Sequence, residues 1–314
     1  MDYILAVIGL FILVGSGDLL VRGAVAAASR LNVPSMVIGL TVVAFGTSAP
    51  ELVVSLDAAV IKNAPELALG NAVGSNIANV LLVIGLPAAL FSITCVAESV
   101  TRDTVAMILS TSIFILLCFI GPLGFWSGAL LTIMLVGYLT HAAREARNHA
   151  GLMAAETGKL EARLENIPSI VVATAFIVVG LTGLMCGAHL LVSGCMNIAR
   201  TWGVSDATIG LTVVAFGTSL PELATSMSAI FRRQADVAIG NVIGSNMFNL
   251  LGILGITSMI VEIPIVDQFF NVNLWVMLGS SLLLIPLCLF KATIGRLSGM
   301  LFLSAYAVYI AWLL

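Results

Sequence analysis

The sequence predicts an all-α membrane protein: ten transmembrane helices arranged as two inverted five-helix repeats. Composition is the first reason. Of 314 residues, 60% are hydrophobic and 9% charged, against about 25% charged in soluble domains, and mean hydropathy is +1.13. Duplication is the second. GLTVVAFGTSAPEL at 39–52 returns as GLTVVAFGTSLPEL at 210–223, and GNAVGSNIANVLLVIG from Gly70 returns as GNVIGSNMFNLLGILG from Gly240. Parity is the third. Five spans separate the copies, so the second copy enters the membrane from the opposite side. The repeats are then related by a pseudo-two-fold axis in the membrane plane, a plan in which the site lies at the midplane between them.

Charges, Pro and Gly punctuate the hydropathy into spans at roughly 3–29, 34–61, 66–91, 104–120, 125–142, 168–199, 204–231, 236–261, 272–290 and 296–313. Most approach or exceed the ~20 residues that cross a bilayer, and the longest imply tilt or a break. Span 1 has no basic stretch before its apolar run and reads as a membrane helix, not a cleaved leader. The first repeat occupies 1–142 and the second 168–314. Between them, 143–167 mixes both charge signs and reads as a linker or short surface helix, too short for a core of its own.

The basic residues set the expected orientation. With the N-terminus outside, Arg22, Arg30, Arg102, Arg144, Arg147, Lys159, Arg163, Arg232, Arg233, Lys291 and Arg296 lie inside, and only Lys62 and Arg200 outside. That satisfies the positive-inside rule. It predicts an inner-membrane protein with both termini extracytoplasmic and a cytoplasmic linker. The small net charge of −3 gives no reason to expect nucleic acid, and no obligatory protein partner or cofactor is evident. The five cysteines show no metal-ligand spacing and read as small apolar core residues.

The repeated blocks carry the chemistry. Pro50 has no N–H for the carbonyl of Gly46 and crowds it, so span 2 is expected to break and free carbonyls near Ala44 and Thr47. Span 7 repeats this with Ala215, Thr218 and Pro221. Ser48 and Glu51, three apart, share a helix face, as do Ser219 and Glu222. In spans 3 and 8, Gly70 and Gly74 and their counterparts Gly240 and Gly244 permit close packing. Ser75 and Asn79, like Ser245 and Asn249, share a face that reaches the preceding Glu. An all-oxygen set with two carboxylates suits Ca²⁺ or Na⁺ rather than zinc or copper. Asn71, Asn76, Asn241 and Asn246 are read as braces of the broken helices. Asp18 is read as a structural partner of Arg22, while Asp57 is open between a structural role and an outer-mouth cation attractor. A hydrolase built on Ser48 or Ser219 would need a base, and neither block contains His. A channel would need no counter-ion, and two carboxylates favour tight binding instead.

The paired motifs GTS-x-PE and GN-x-x-GSN-x-x-N resemble the alpha repeats of the cation/calcium exchanger superfamily, with the prokaryotic sodium/calcium exchangers nearest. The resemblance implies an antiporter exporting Ca²⁺ against Na⁺ by alternating access. It implies Ca²⁺ held by Glu51 and Glu222 with carbonyls of Thr47 and Thr218. It implies flanking Na⁺ sites at Ser48 and Ser75 and at Ser219 and Ser245, completed by carbonyls of Ala44 and Ala215, with Asn79 and Asn249 lining the centre. Proton-coupled relatives carry Glu where Gly74 and Gly244 stand, so Na⁺ coupling is implied, and proton/Ca²⁺ exchange on the same fold is the alternative.

Overall fold

The computed structural model describes residues 2–31, 33–94, 99–160, 169–203, 215–267, 269–286 and 293–313. Among them the regular structure is helical, with two isolated bridges, Ile93 to Ile294 and Leu123 to Ile263, fastening loops. Eight helical stretches are long and apolar enough to cross a membrane. A shorter apolar helix at Phe269–Leu282 supplies span 9. The helices Ala215–Thr218 and Leu220–Phe231 supply the described part of span 7. Among the described residues these helices follow in the order the hydropathy predicts.

Three boundaries differ. Span 4 begins at Ser99 rather than 104, because Thr101, Arg102 and Asp103 continue its helix. Span 5 crosses as Phe125–Arg144, close to the predicted 125–142, but its helix continues. It runs as one helix, Phe125–Leu160, through much of the predicted linker; residues 161–168 lie outside the described part. Span 9 begins at Phe269 rather than 272, is broken by a turn at Leu283 and Leu284, and is helical again at Ile285 and Pro286; residues 287–292 lie outside the described part. Pro286 lies in the first turn of the resumed helix, where a missing N–H costs no helical bond.

Inversion is visible in the seam between spans 1 and 6, the first element of each repeat. Gly9 lies against Gly187 and Leu191, Gly23 against Ala173 and Ile177, and Gly194 against Asp2 and Ala6. Residue numbers rise along one helix as they fall along the other, so equivalent helices run antiparallel. These glycines bring backbone onto backbone: a Cβ on Gly187 would sit 2.8 Å from the Leu13 nitrogen. In lipid, where apolar surface gives helices no reason to associate, such close approach is what holds a seam.

Contacts at the helix ends fall into two groups. One end joins Ile93 to Ile294, sets Phe91 edge-on to Phe231 with centroids 6.1 Å apart, and pairs Asp18 with Arg232. The other joins Leu123 to Ile263, Asn197 to Asp2, and Lys62 to Asp57 at 2.6 Å. Each group collects the ends that five alternating spans per repeat would place on one side. Span 8 is buried throughout its apolar window and span 3 over 78% of it, against 17% for span 10. Spans 3 and 8 are therefore the hub, and spans 1, 5, 6 and 10 face outward with side chains such as Phe11, Trp126 and Ile133. Cys118 is buried as expected, but Cys186 is exposed and Cys195 half-buried on the outward-facing span 6. Cys95 and Cys288 lie outside the described residues.

Candidate cation site

Both signature helices break at the same residue of the repeat. Ser48 adopts φ −86°, ψ 6° between the helices Ala44–Thr47 and Ala49–Leu56. Ser219 adopts φ −86°, ψ 3° between Ala215–Thr218 and Leu220–Phe231. Pro50 and Pro221 sit in the first turn of the second piece, where a missing N–H costs no helical bond. Glu51 and Glu222 follow immediately and lie at helix N-termini, where the backbone dipole favours negative charge. Spans 3 and 8 widen into π-helical turns at Asn79–Ile84 and Phe248–Ile253, a distortion frequent at functional sites. Asn79 and Asn249 stand at these turns.

The four distorted helices converge. Glu51, Glu222, Thr47, Ser219, Asn79 and Asn249 are each 1% exposed, Ser48 and Ser245 0%, and Ser75 4%. The Ser48 hydroxyl, one helical turn before Glu51, donates to Glu222 Oε1 across the repeats at 3.0 Å. Asn79 Nδ2 donates to Asn246 Oδ1 at 3.0 Å, and Asn249 Nδ2 donates to Asn76 Oδ1 at 3.0 Å. Each of these two bonds is the image of the other under exchange of the repeats, so the pseudo-two-fold axis passes between them.

Six buried oxygens in this centre have no protein partner: Glu51 Oε2, Glu222 Oε2, Asn79 Oδ1, Asn249 Oδ1, Ser219 Oγ and Ser245 Oγ. An unpaired buried polar atom costs about 1–3 kcal/mol, and more when charged. Six together demand a compensating partner. Oxygen donors with two carboxylates match a hard cation. Among the described residues no group of three His, Cys, Asp or Glu forms a transition-metal cage.

One expected ligand is less open. The Ala44 carbonyl already accepts the Ser48 amide at 3.0 Å and lies 3.4 Å from the Thr47 hydroxyl. Thr218 is half-buried where Thr47 is fully buried. Ala215 lies in its helix, and residues 204–214 before it are outside the described part. Asn71 and Asn241 do brace helices: they donate to Ser55 at 3.1 Å and to Ser226 at 3.3 Å, one turn beyond each Glu. Asn71 also donates to the Glu51 carbonyl, and Asn241 accepts the Thr47 hydroxyl. Ser55 and Ser226 were missed by the motif reading, although both recur at the same place after the proline. Asp18 is held by Arg232, through Nε to Oδ1 and through Nη2 to Oδ2 at 2.7 Å, with Arg22 at 3.9 Å. The expected Arg22 partnership is thus secondary. Asp57 is paired with Lys62.

Residues 1–143 and 172–314 match the family of sodium/calcium exchanger proteins, and the unmatched gap falls on the predicted linker. The chain is 30% identical over 348 residues to the sodium/calcium exchanger MaX1 of Methanosarcina acetivorans, covering 98% of this chain and 97% of that one. It is 32% identical over 312 residues to the inner membrane protein YrbG of Escherichia coli, covering 98% and 95%. Its fold matches the structure of the sodium-calcium exchanger NCX_Mj soaked with zero Na⁺ and Ca²⁺, with TM-score 0.85, 33% identity, and coverage of 100% and 99%.

Proposed function

The chain belongs to the sodium/calcium exchanger family, and from that premise we propose that it is an antiporter exporting Ca²⁺ in exchange for Na⁺ by alternating access. The observation that carries the proposal is the set of six unpartnered buried oxygens contributed by both repeats, two of them on the carboxylates of Glu51 and Glu222. Ca²⁺ takes six to eight oxygens, and its charge cancels Glu51 and Glu222. Thr47 and Thr218 contribute carbonyls to Ca²⁺. Ser48 with Ser75, and Ser219 with Ser245, serve Na⁺, together with the carbonyls of Ala44 and Ala215. Asn79 and Asn249 line the centre.

Exchange follows from electrostatics. Two bare carboxylates are very costly to carry through a low-dielectric barrier, so the empty protein does not reorient. Both ions need the same carboxylates, so they compete and travel on alternate strokes. The seam between spans 1 and 6 is largely glycine backbone set against facing backbone, with Ser16 packed on Gly183, and this pair is the proposed access switch. The basic residues support a cytoplasmic linker, extracytoplasmic termini and residence in the cell membrane.

Radiolabelled Ca²⁺ uptake into Na⁺-loaded proteoliposomes, diluted into Na⁺-free buffer, tests the reading. Uptake should require internal Na⁺ and should vanish in Glu51→Gln and in Glu222→Gln. Uptake driven by a pH gradient without Na⁺ would replace the coupling ion with the proton.

A further inference from the structure

The asparagines at the hub form two short relays, and each begins at a group that can only accept. Asn76 Nδ2 donates to the Asn246 backbone carbonyl at 3.1 Å. A carbonyl cannot donate, so this end of the Asn76 amide must be its nitrogen and the other end its oxygen. That oxygen receives Asn249 Nδ2, which turns Asn249 Oδ1 away from the clasp and leaves it buried and unpartnered. The second relay begins at Met107 of span 4. Its thioether sulfur accepts Asn246 Nδ2 at 3.6 Å; Asn246 Oδ1 then receives Asn79 Nδ2, and Asn79 Oδ1 is left unpartnered. All four asparagines are 1% exposed and Met107 is 0% exposed, so water does not compete for these bonds.

An amide is nearly symmetric in shape and opposite in polarity at its two ends, so its partners alone decide which end it presents. Turned one way, Asn79 and Asn249 offer oxygen; turned the other, they offer an NH₂ that repels a cation. We propose that Asn76, Asn246 and the Met107 thioether are positioning residues. They hold the Asn79 and Asn249 amides with oxygen toward the transported cation and so set the cation affinity of the site. The proposal rests on the reading of this centre as the exchanger's ion site. It assigns to Asn76 and Asn246 an electrostatic task beyond bracing helices.

The prediction separates orientation from support. Asn246→Ala removes the acceptor that fixes Asn79, and Ca²⁺ affinity should fall roughly 10- to 100-fold, as for other partners that orient metal ligands. A carboxylate presents oxygen whichever way it turns. In an Asn79→Asp background the same Asn246→Ala change should therefore cost far less. Asn246→Asp keeps the acceptor and should hold affinity well above that of Asn246→Ala. The assay is equilibrium binding of radiolabelled Ca²⁺ to the purified full chain, beside Na⁺-driven uptake in proteoliposomes. Should Asn246→Ala fail to fold, Met107→Leu keeps the volume and removes the sulfur acceptor, and its loss should likewise shrink in Asn79→Asp. Equal penalties in the wild-type and Asn79→Asp backgrounds, or an Asn246→Asp loss as large as that of Asn246→Ala, would overturn the proposal. Wild-type protein that binds Ca²⁺ and shows this pattern but takes up none against Na⁺ would instead refute the antiporter reading.

Discussion

Gly74 and Gly244 hold the same place in the two repeats, yet the fold treats them oppositely. A Cβ on Gly74 would meet nothing within 4 Å. A Cβ on Gly244 would press on the Leu40 carbonyl oxygen, lie 2.9 Å from the carbonyl carbon and sit 2.7 Å from the Ala44 Cβ. Carbon atoms at rest stand ~3.5–4.0 Å apart, so spans 2 and 8 would have to separate by roughly 1 Å. Overpacking of this kind costs about 1–3 kcal/mol. Replacing Gly by Ala also favours helix by about 1 kcal/mol, but both variants share that gain and it cancels in their comparison. Gly74→Ala should therefore be at least as stable as wild type, and Gly244→Ala should fall below its twin by about 1–3 kcal/mol. Thermal unfolding of both in one detergent reads the difference. Gly244→Ala should also weaken Na⁺ binding, because the strained contact displaces Ala44, whose carbonyl is assigned to a Na⁺ site. Equal stabilities, or Gly74→Ala the weaker, would refute the packing of span 2 on span 8.

Three further outcomes follow from the same geometry. Ser219→Ala removes a buried hydroxyl without a partner; in ion-free buffer its thermal stability should equal or exceed wild type, while the stabilisation produced by added Na⁺ should shrink. Arg232→Gln strips Asp18 of its two-pronged partner, and charge-assisted bonds of this sort are worth about 1.5–3 kcal/mol, so the melting temperature should drop and Arg22→Gln should lower it less. Gly187→Ala places a methyl 2.8 Å from the Leu13 nitrogen in the seam of spans 1 and 6; it should slow Na⁺-driven Ca²⁺ uptake while equilibrium Ca²⁺ binding stays near wild type, and unchanged turnover would argue against sliding at this seam.

The spans and the breaks were legible because they rest on local rules. Proline position sets the break before Glu51 and Glu222, and apolar length sets most helix ends. The segment after span 5 continues as helix to Leu160, in keeping with its helix-forming composition. The Asp18 to Arg232 pair was hidden by 214 residues of separation, whereas Arg22 lay one turn away and was the obvious guess. Duplication pointed to Asn79 and Asn249 as polar groups of the centre. The ends they present depend on a backbone carbonyl of span 8 and a methionine of span 4, and Met107 carries no signal in any motif. Ser55 and Ser226 were readable from the repeat but fell outside the blocks first compared.

The most direct test of the central claim is equilibrium binding of radiolabelled Ca²⁺ to the purified protein, titrated with Na⁺. The shared-site account predicts saturable Ca²⁺ binding that Na⁺ displaces competitively, and loss of that binding in both Glu51→Gln and Glu222→Gln. Ca²⁺ binding that survives either substitution unchanged, or that Na⁺ fails to displace, would contradict it.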